Sequence, residues 1–313
     1  MFYILAIESS CDDTSCAVMD NEFRVLSNVT ASQQVHAEYG GVVPELASRA
    51  HQCNIIPVVD KALKDAGISK HDLEAVAFTR GPGLLGSLLV GVSFAKSFAA
   101  ALGLKMIEVN HLEAHVLAHF VQEADVEPHL PEFPFLCLLV SGGNSVVALV
   151  RDYTDFEILA RTRDDAAGEC FDKAARAMGL SYPGGVTLDK IATEPDFKKY
   201  PLPFPKVEDS EFDFSFSGLK TAVINIIHNA EQKGEEVDVP VMAATLRSRV
   251  CDMLVNSTFA LAEKTGVKTV VVAGGVSANS ELRKRMKETA ENKGMELYYP
   301  ELCYCGDNAA MIG

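Results

Sequence analysis

An α/β protein of two related lobes is the fold class this sequence predicts, on three observations. Apolar strand-like runs alternate with helical stretches; an apolar strand, a turn of small residues and a second apolar strand open the chain and recur near its middle; and glycine-rich bends follow several strands. At 313 residues the chain also exceeds what one hydrophobic core usually serves, which favours two lobes over one.

The first strand is the apolar run at residues 2–8, followed by a turn rich in small polar residues and strands near 15–19 and 25–30. A helix begins near Pro44, a residue suited to the first helical position, and apolar Leu46, Ala50, Ile55, Val58, Val59 and Ala62 carry it to Gly67. A strand at 74–79, the bend Gly81-Pro82-Gly83, a helix from about 84 to 102 and a strand at 105–109 follow. Residues 122–134 combine acidic side chains with three prolines and mark the crossing, so the lobes are assigned to residues 1–125 and 135–313.

The second lobe repeats the opening: a strand at 135–140, the turn Ser141-Gly142-Gly143-Asn144, strands at 145–150 and 156–161, and a helix near 168–178. Residues 193–214, rich in proline, phenylalanine and charge, read as a long irregular insertion. Helices at 216–230 and 240–264 come next. The strand at 269–273 then runs into Gly274-Gly275-Val276-Ser277-Ala278-Asn279 and a helix to about 292. Asp307-Asn308-Ala309-Ala310-Met311 is expected to open a further helix, most of it trimmed by the stop at Gly313.

Composition narrows the function. An apolar fraction of 48% with 23% charged residues belongs to a globular chain with a sizeable core. The formal net charge of -15 disfavours a broad electrostatic grip on nucleic acid, so any RNA must be held by a local patch or a partner protein. The densest basic run, Arg283, Lys284, Arg285 and Lys287, shares its helix with Glu281, Glu288 and Glu291 and reads as a solvated face. Residues 81–95, the longest run without a strong charge, hold four glycines and a proline and are too short and interrupted to span a bilayer; no membrane is expected. The apolar start lacks a basic flank and soon meets Glu8, Asp12 and Asp13, which excludes a secretory signal. Eight scattered cysteines without a CxxC pair read as free thiols of a reducing cytoplasm, and Cys303 and Cys305 are left unassigned.

Two features carry chemistry. The paired strand-turn-strand hairpins let backbone N–H groups approach an anion such as a nucleotide phosphate. Gly142 and Gly143 remove side chains that would hold a ligand off, while Ser141 and Ser10 add hydroxyl donors. The bend at Gly274-Gly275 sits where ligand-binding strand ends lie in α/β sheets, and Asn279 offers an amide to a ribose or base, a helix cap, or both. Secondly, His111 and His115 in HLEAH stand four apart, on one face of a helix, as two ligands of one ion would. The glutamate of a zincin would occupy position 112, which is Leu112. Glu113 lies about 200° from each histidine around the helix and points away, which disfavours peptide hydrolysis. A hard or borderline ion held by His, His and a carboxylate, with open positions, suits polarisation of a phosphate or carbonyl; the third ligand must come from elsewhere.

From end to end the sequence resembles the universal tRNA N6-adenosine threonylcarbamoyltransferase family, once described as glycoproteases. The motifs are LAIESSCDDT from Leu5, YGGVVPELASRAH from Tyr39, GPGLLGSLLVG from Gly81, HLEAH at His111, LVSGG at Leu139, DDAAGECFDK from Asp164, YPGG at Tyr182, FSFSGLK from Phe214, AGGVSAN from Ala273 and the closing DNAAMIG. The resemblance implies the two-lobed actin, sugar-kinase and heat-shock ATPase fold, with duplicated mixed-sheet lobes and a central ligand cleft. It implies metal ligands at His111, His115 and Asp307, holding one ion, iron(II) in preference to zinc. It implies an adenylate or ATP pocket at Leu139, Val140, Ser141, Gly142, Gly143, Asp172, Gly185, Asp189 and Asn279. By residue type alone, Asp172 reads as an exposed charge on its helix and Asp189 as a carboxylate at a helix start.

Two departures from the family pattern stand out: Asn144 where it commonly has histidine, and Asp13 where it commonly has glutamate, with Asp12 as the second candidate for the catalytic carboxylate. The implied reaction is acyl transfer from threonylcarbamoyl-AMP to the N6 amine of the adenosine 3′ of the anticodon in tRNAs reading ANN codons. Implied partners are tRNA and the proteins of a threonylcarbamoylation complex, including a paralogous non-catalytic subunit and, in a bacterium, a P-loop ATPase. Three other readings compete. A small-molecule kinase on the same fold would use ATP and need no histidine pair; a metalloprotease lacks its base here; and a silent paralogue that activates a partner is disfavoured by the intact histidines and the Asp307-Asn308 motif.

Overall fold

The computed structural model of the chain describes residues 2–122 and 130–313, apart from the side chain of Ala37. It opens with the antiparallel strands β1 (Tyr3–Glu8), β2 (Asp13–Asp20) and β3 (Val25–Ser32). A short helix α1 (His36–Tyr39) leads to α2 (Pro44–Asp65), and β4 (Leu73–Gly81), α3 (Leu85–Leu102) and β5 (Lys105–Asn110) follow, with β4 and β5 parallel to β1. The sheet order is β3-β2-β1-β4-β5. Because side chains alternate along a strand, Leu5, Ile7, Cys16 and Val18 pack with α2 residues such as Ile55 and Val59 on one face, while Ala6, Ala17 and Met19 serve the other. On that second face lies α4 (His111–Leu117), continued by one 3-10 turn.

Helix α3 buries only its small residues Ser87, Gly91, Ala95 and Ala99 and leaves Leu85 and Leu89 exposed. With mean hydropathy 1.6 over 18 residues it meets the length and composition of a membrane span, which the interrupted run at 81–95 did not anticipate: the helix starts beyond the Gly-Pro-Gly bend and extends to Leu102.

The second sheet is built from β6 (Phe135–Val140), β7 (Ser145–Asp152) and β8 (Asp155–Arg161), antiparallel in sequence. Helices α5 (Ala167–Ala177), α6 (Gly184–Ile191), α7 (Ser217–Lys233) and α8 (Val239–Thr265) come next. They are followed by β9 (Thr269–Ala273), a 3-10 turn, α9 (Ser280–Lys293), β10 (Glu296–Tyr298) and α10 (Leu302–Cys305). The order β10-β9-β6-β7-β8, with β9 parallel to β6 and β10 parallel to β9, repeats the first sheet strand for strand: the duplication is in the topology as well as the sequence.

Two compact units divide the chain, Met1–Leu130 with Pro300–Gly313, and Pro131–Tyr299. The crossing read at 122–134 falls partly on residues 123–129, outside the described residues. The assignment of all of 135–313, Asp307 included, to the second lobe is corrected: the last fourteen residues belong to the first unit. The reason is apolar packing, since Ala309, Ala310, Met311 and Ile312 complete the cluster of Ala6, Ala17, Met19 and Ala114. No α-helix opens at Asp307 either. The buried Asn308 side chain accepts from the Met311 N–H at 3.1 Å and donates to the Gly306 carbonyl at 2.9 Å, so it closes a turn and competes with helical pairing.

Residues 193–214 hold no helix or strand, as expected of an insertion, yet they are packed: Tyr200, Leu202 and Phe214 are buried, and Phe214 stacks on Phe216 with centroids 5.8 Å apart. Helix α6 and strand β10 lie outside the elements read from sequence, being too short for a periodic signal.

Candidate metal centre and adenylate turns

Strand β5 ends at Asn110, and that residue starts the helix that carries the histidines. Its side-chain oxygen accepts from the Leu112 N–H at 2.9 Å and the Glu113 N–H at 3.4 Å, capping α4. The cap sets the helix rotation so that His111, Ala114 and His115 are buried and Glu113 is exposed, as the 200° argument required. The two imidazoles meet edge to face with centroids 4.6 Å apart.

Asp307 faces them from the closing segment. Its Oδ1 lies 3.1 Å from His115 Nε2 and 3.5 Å from His111 Nε2, and one ligand atom from each of the three residues falls within 4.8 Å of the others. The position of the carboxylate is fixed by its neighbours: Asn308 closes the turn, and the Ala309 N–H donates to Ser15 Oγ on β2 at 3.0 Å. Two neutral imidazole nitrogens and a carboxylate are the donor set of a borderline cation such as zinc or iron(II). The residues fit that role: three donors converge on one point, and the Asp307 side chain is 24% exposed, which leaves an open side for a further ligand. Burial works to raise the Asp307 carboxyl, but the His115 hydrogen bond and the charge of His111 hold it below the usual carboxylate range. Burial opposes charge on His111; the hydrogen bond and charge of Glu8, with Asp307, outweigh it and raise the ring to about 9.

The turn that carries Asp12 and Asp13 joins β1 to β2 and is held from three sides. Ser87 Oγ donates to the Cys11 carbonyl at 2.9 Å, the Leu84 N–H donates to the Ser10 carbonyl at 2.7 Å, and His51 of α2 sits between Cys11 and Thr14. A carbonyl only accepts, so His51 Nε2–H donates to Cys11 O at 3.0 Å and Nδ1 accepts from Thr14 Oγ1 at 2.7 Å. Gly83 is required by this packing, because a Cβ there would stand 2.5 Å from Ser10 O. Burial raises the Asp13 carboxyl; a Ser32 hydrogen bond opposes this, the charges of Asp12, Asp307 and Glu8 add to it, and the result is about 6. Ser10, expected to offer its hydroxyl to a phosphate, is buried with that hydroxyl 3.3 Å from His111 Nδ1.

The adenylate set lies in the second unit. Leu139 and Val140 end β6, and the Ser141 N–H donates to the Asn144 carbonyl at 2.8 Å, closing the turn. A Cβ on Gly142 or Gly143 would meet nothing within 4 Å, and neither glycine has a positive φ, so neither packing nor backbone geometry demands glycine there. Open space in front of the turn is what an approaching anion needs. Gly168 and Gly274 differ: a Cβ on Gly168 would sit 2.6 Å from Ser141 O, and one on Gly274, at φ 85°, would collide with Val140 O.

Asp172 lies on α5 and accepts the Gly185 N–H at 2.9 Å, so it anchors the start of α6 and is not merely an exposed charge. Asp189 lies near the end of α6, not at a helix start. Its oxygens accept from Arg247 Nη1 at 2.8 Å, Asn279 Nδ2 at 3.1 Å and the Ser280 N–H at 3.0 Å. Asn279 does two things at once: its oxygen caps α9 by accepting the Leu282 N–H at 3.0 Å, and its amide donates to Asp189.

The family model for tRNA N6-adenosine threonylcarbamoyltransferase (TsaD) matches residues 24–313. The chain belongs to that family. It is 53% identical over 312 residues to the tRNA N6-adenosine threonylcarbamoyltransferase of Phocaeicola vulgatus, covering 99% of this chain and 91% of that protein. The Porphyromonas gingivalis protein of the same name is 52% identical with the same coverage. Among solved structures, component A of the Acidaminococcus fermentans (R)-2-hydroxyglutaryl-CoA dehydratase aligns with TM-score 0.56 at 16% identity, covering 100% of this chain and 96% of that one. The ROK hexokinase of Thermus thermophilus aligns with TM-score 0.51 at 16% identity, covering 99% and 97%. These likenesses concern the fold, which is that of the sugar kinases and related ATPases.

In this threonylcarbamoyltransferase family member, then, His111, His115 and Asp307 come together, and Asp12 and Asp13 share their unit; Leu139, Val140, Ser141, Gly142, Gly143, Asp172, Gly185, Asp189 and Asn279 all lie in the other unit. Sequence reasoning missed Glu8, Thr79 and Arg247. Glu8 could have been flagged as a carboxylate closing an apolar strand; nothing local marks the other two. The two arginines of the basic run on α9 are taken up internally, Arg285 pairing with Glu281 at 2.6 Å and with Asp252, and Arg283 Nε donating to the Ser277 carbonyl at 2.7 Å, while Lys284 and Lys287 are exposed.

Proposed function

We propose that this chain transfers the threonylcarbamoyl group of threonylcarbamoyl-AMP to the N6 amine of the adenosine 3′ of the anticodon in tRNAs reading ANN codons. The observation that carries the reading is the convergence of His111, His115 and Asp307 in a chain whose curated relatives, 53% and 52% identical, bear that enzyme's name. His111, His115 and Asp307 hold one divalent ion, iron(II) in preference to zinc. When bound, it supplies Lewis-acid stabilisation of charge on an acyl or phosphate oxygen.

The chain's own residues do the rest. Backbone N–H groups of the turn formed by Ser141, Gly142 and Gly143 hold the phosphate that leaves with AMP. Asp172, Gly185, Asp189 and Asn279 form the nucleoside side of the pocket. An adenine amine is a weak nucleophile, so it must be positioned and relieved of a proton as the bond forms. Asp13, raised to about 6, is ionised at pH 7 to 8 yet close enough to neutrality to accept that proton; Asp12 is the alternative acceptor. With a net charge of -15 the chain relies on partner proteins to help hold tRNA, a paralogous non-catalytic subunit and a P-loop ATPase among them. Eight cysteines outside any disulfide support a reducing, cytoplasmic setting.

A small-molecule kinase would use the phosphate turns but has no need of the histidines, and metalloprotease action is disfavoured by the exposed, outward Glu113. The test is to incubate the chain and its partners with threonylcarbamoyl-AMP labelled in the threonine and with unmodified tRNA. Label entering the RNA at the adenosine next to the anticodon is expected; label confined to free threonine would refute the reading.

A further inference from the structure

We infer that Glu8 is a positioning residue for the metal centre: its buried carboxylate orients the His111 ring and keeps Nε2 as the free, ligating nitrogen. The inference rests on the reading that His111, His115 and Asp307 hold a cation. Glu8 is the last residue of β1 and is wholly buried. The parallel pairing of β1, β4 and β5 brings three strand ends side by side, so that Thr79 and the start of α4 lie next to it. Thr79 Oγ1 donates to Glu8 Oε2 at 2.5 Å, and the Ser10 N–H donates to Oε1. The same Oε2 lies 3.1 Å from His111 Nδ1.

A buried carboxylate is costly unless its lone pairs are met, and Glu8 meets them with two fixed donors and the histidine. Glu8 already accepts from the Ser10 N–H and the Thr79 hydroxyl, so its contact with Nδ1 places a ring hydrogen there and leaves Nε2 as the nitrogen open to a cation. The Ser10 hydroxyl, 3.3 Å from Nδ1, can donate or accept and so does not decide the tautomer. Nε2 faces the Asp307 carboxylate at 3.5 Å, so a positive charge belongs between the two, and a bound cation would take the place of the proton that the raised ring holds there. His115 is held differently. Its Nδ1 is buried without a hydrogen-bond partner among the described residues, so no carboxylate holds that ring from behind and it is oriented by packing and by its Nε2 contact with Asp307 at 3.1 Å. Carboxylates that hold ligand histidines in this way tune affinity about 10–100-fold in metal sites.

The experiment measures zinc binding to the full chain, stripped of metal and titrated in competition with a chromophoric chelator, for the wild type, Glu8→Gln, Glu8→Asp and His111→Ala. Nitrogen-15 spectra of the imidazoles read the tautomer, and melting curves establish that each variant is folded. The wild type is expected to bind one zinc ion with His111 protonated at Nδ1. Glu8→Gln, whose amide can turn its NH2 toward the ring, should weaken binding about 10–100-fold and lose that single tautomer. Glu8→Asp, one methylene short but still an acceptor, should weaken binding less, and it serves in place of Glu8→Gln if the amide does not fold. A folded Glu8 variant with wild-type zinc affinity and an unchanged His111 tautomer would overturn the inference. A wild type that binds no zinc, or a His111→Ala chain that binds it as tightly, would instead remove the reading beneath it.

Discussion

Asp13→Asn separates the catalytic role proposed for this carboxylate from its cost to the fold. Moving a carboxyl from 3.8 to about 6 makes its charge in the folded protein unfavourable by roughly 3 kcal/mol. The direction follows from proton linkage. Because the folded-state value is the higher one, the protonated group favours folding, its contribution is complete below about pH 4, and it is lost as pH rises through about 6. Asparagine carries no such charge. The difference in stability between Asp13→Asn and the wild type should therefore grow by about 2–3 kcal/mol in favour of the variant between pH 4 and pH 7. Urea unfolding of both proteins across that range measures it. In the same preparation, loss of the proton acceptor should lower threonylcarbamoyl transfer about 10²–10⁴-fold. A stability difference that does not change with pH would refute the electrostatic argument, and transfer within a few-fold of wild type would refute the role of Asp13 as base.

Four further outcomes are expected. His111→Ala combined with His115→Ala should lose metal and transfer activity while the chain stays folded, read by elemental analysis, labelled transfer and circular dichroism; full activity in a verified metal-free variant would contradict the site. Gly143→Ala should change stability by less than about 0.5 kcal/mol yet weaken AMP binding at least about tenfold, whereas Gly168→Ala, whose Cβ meets Ser141 O at 2.6 Å, should destabilise by about 2–3 kcal/mol in thermal unfolding. Asn110→Ala removes the cap of α4 and should cost about 1 kcal/mol, with a parallel fall in zinc affinity as the helix end frays. The isolated chain should bind tRNA weakly in a filter assay; a tight, salt-sensitive complex of the single chain would show that its -15 charge hides a sufficient basic patch.

What was legible in the sequence was whatever local pattern encodes. The duplicated hairpins announced themselves because β1 and β6 are apolar runs, each followed by a turn of small or polar residues and a strand with an apolar middle, Cys16 to Met19 in β2 and Val146 to Val150 in β7. The spacing of His111 and His115 survives folding because an α-helix is rigid on that scale. Glu8 could be marked as a carboxylate closing an apolar strand, but not its partners, which lie 103 residues away at His111 and 71 away at Thr79. Asp189 misled for a similar reason: its partners Arg247, Asn279 and Ser280 come from two other elements. The helix expected at Asp307 failed because Asn308, a residue that competes for backbone groups, closes a turn in its place.

The return of Pro300–Gly313 to the first unit carries a consequence for how the enzyme is made on the ribosome. The two imidazoles emerge early, but the carboxylate facing His115 is translated 192 residues later, and so are the four apolar side chains that finish the cluster beneath them. A nascent chain therefore cannot assemble the full coordination sphere during most of its synthesis. On the proposed metal site, ion capture would come last and would tie cofactor loading to a polypeptide that is already nearly whole.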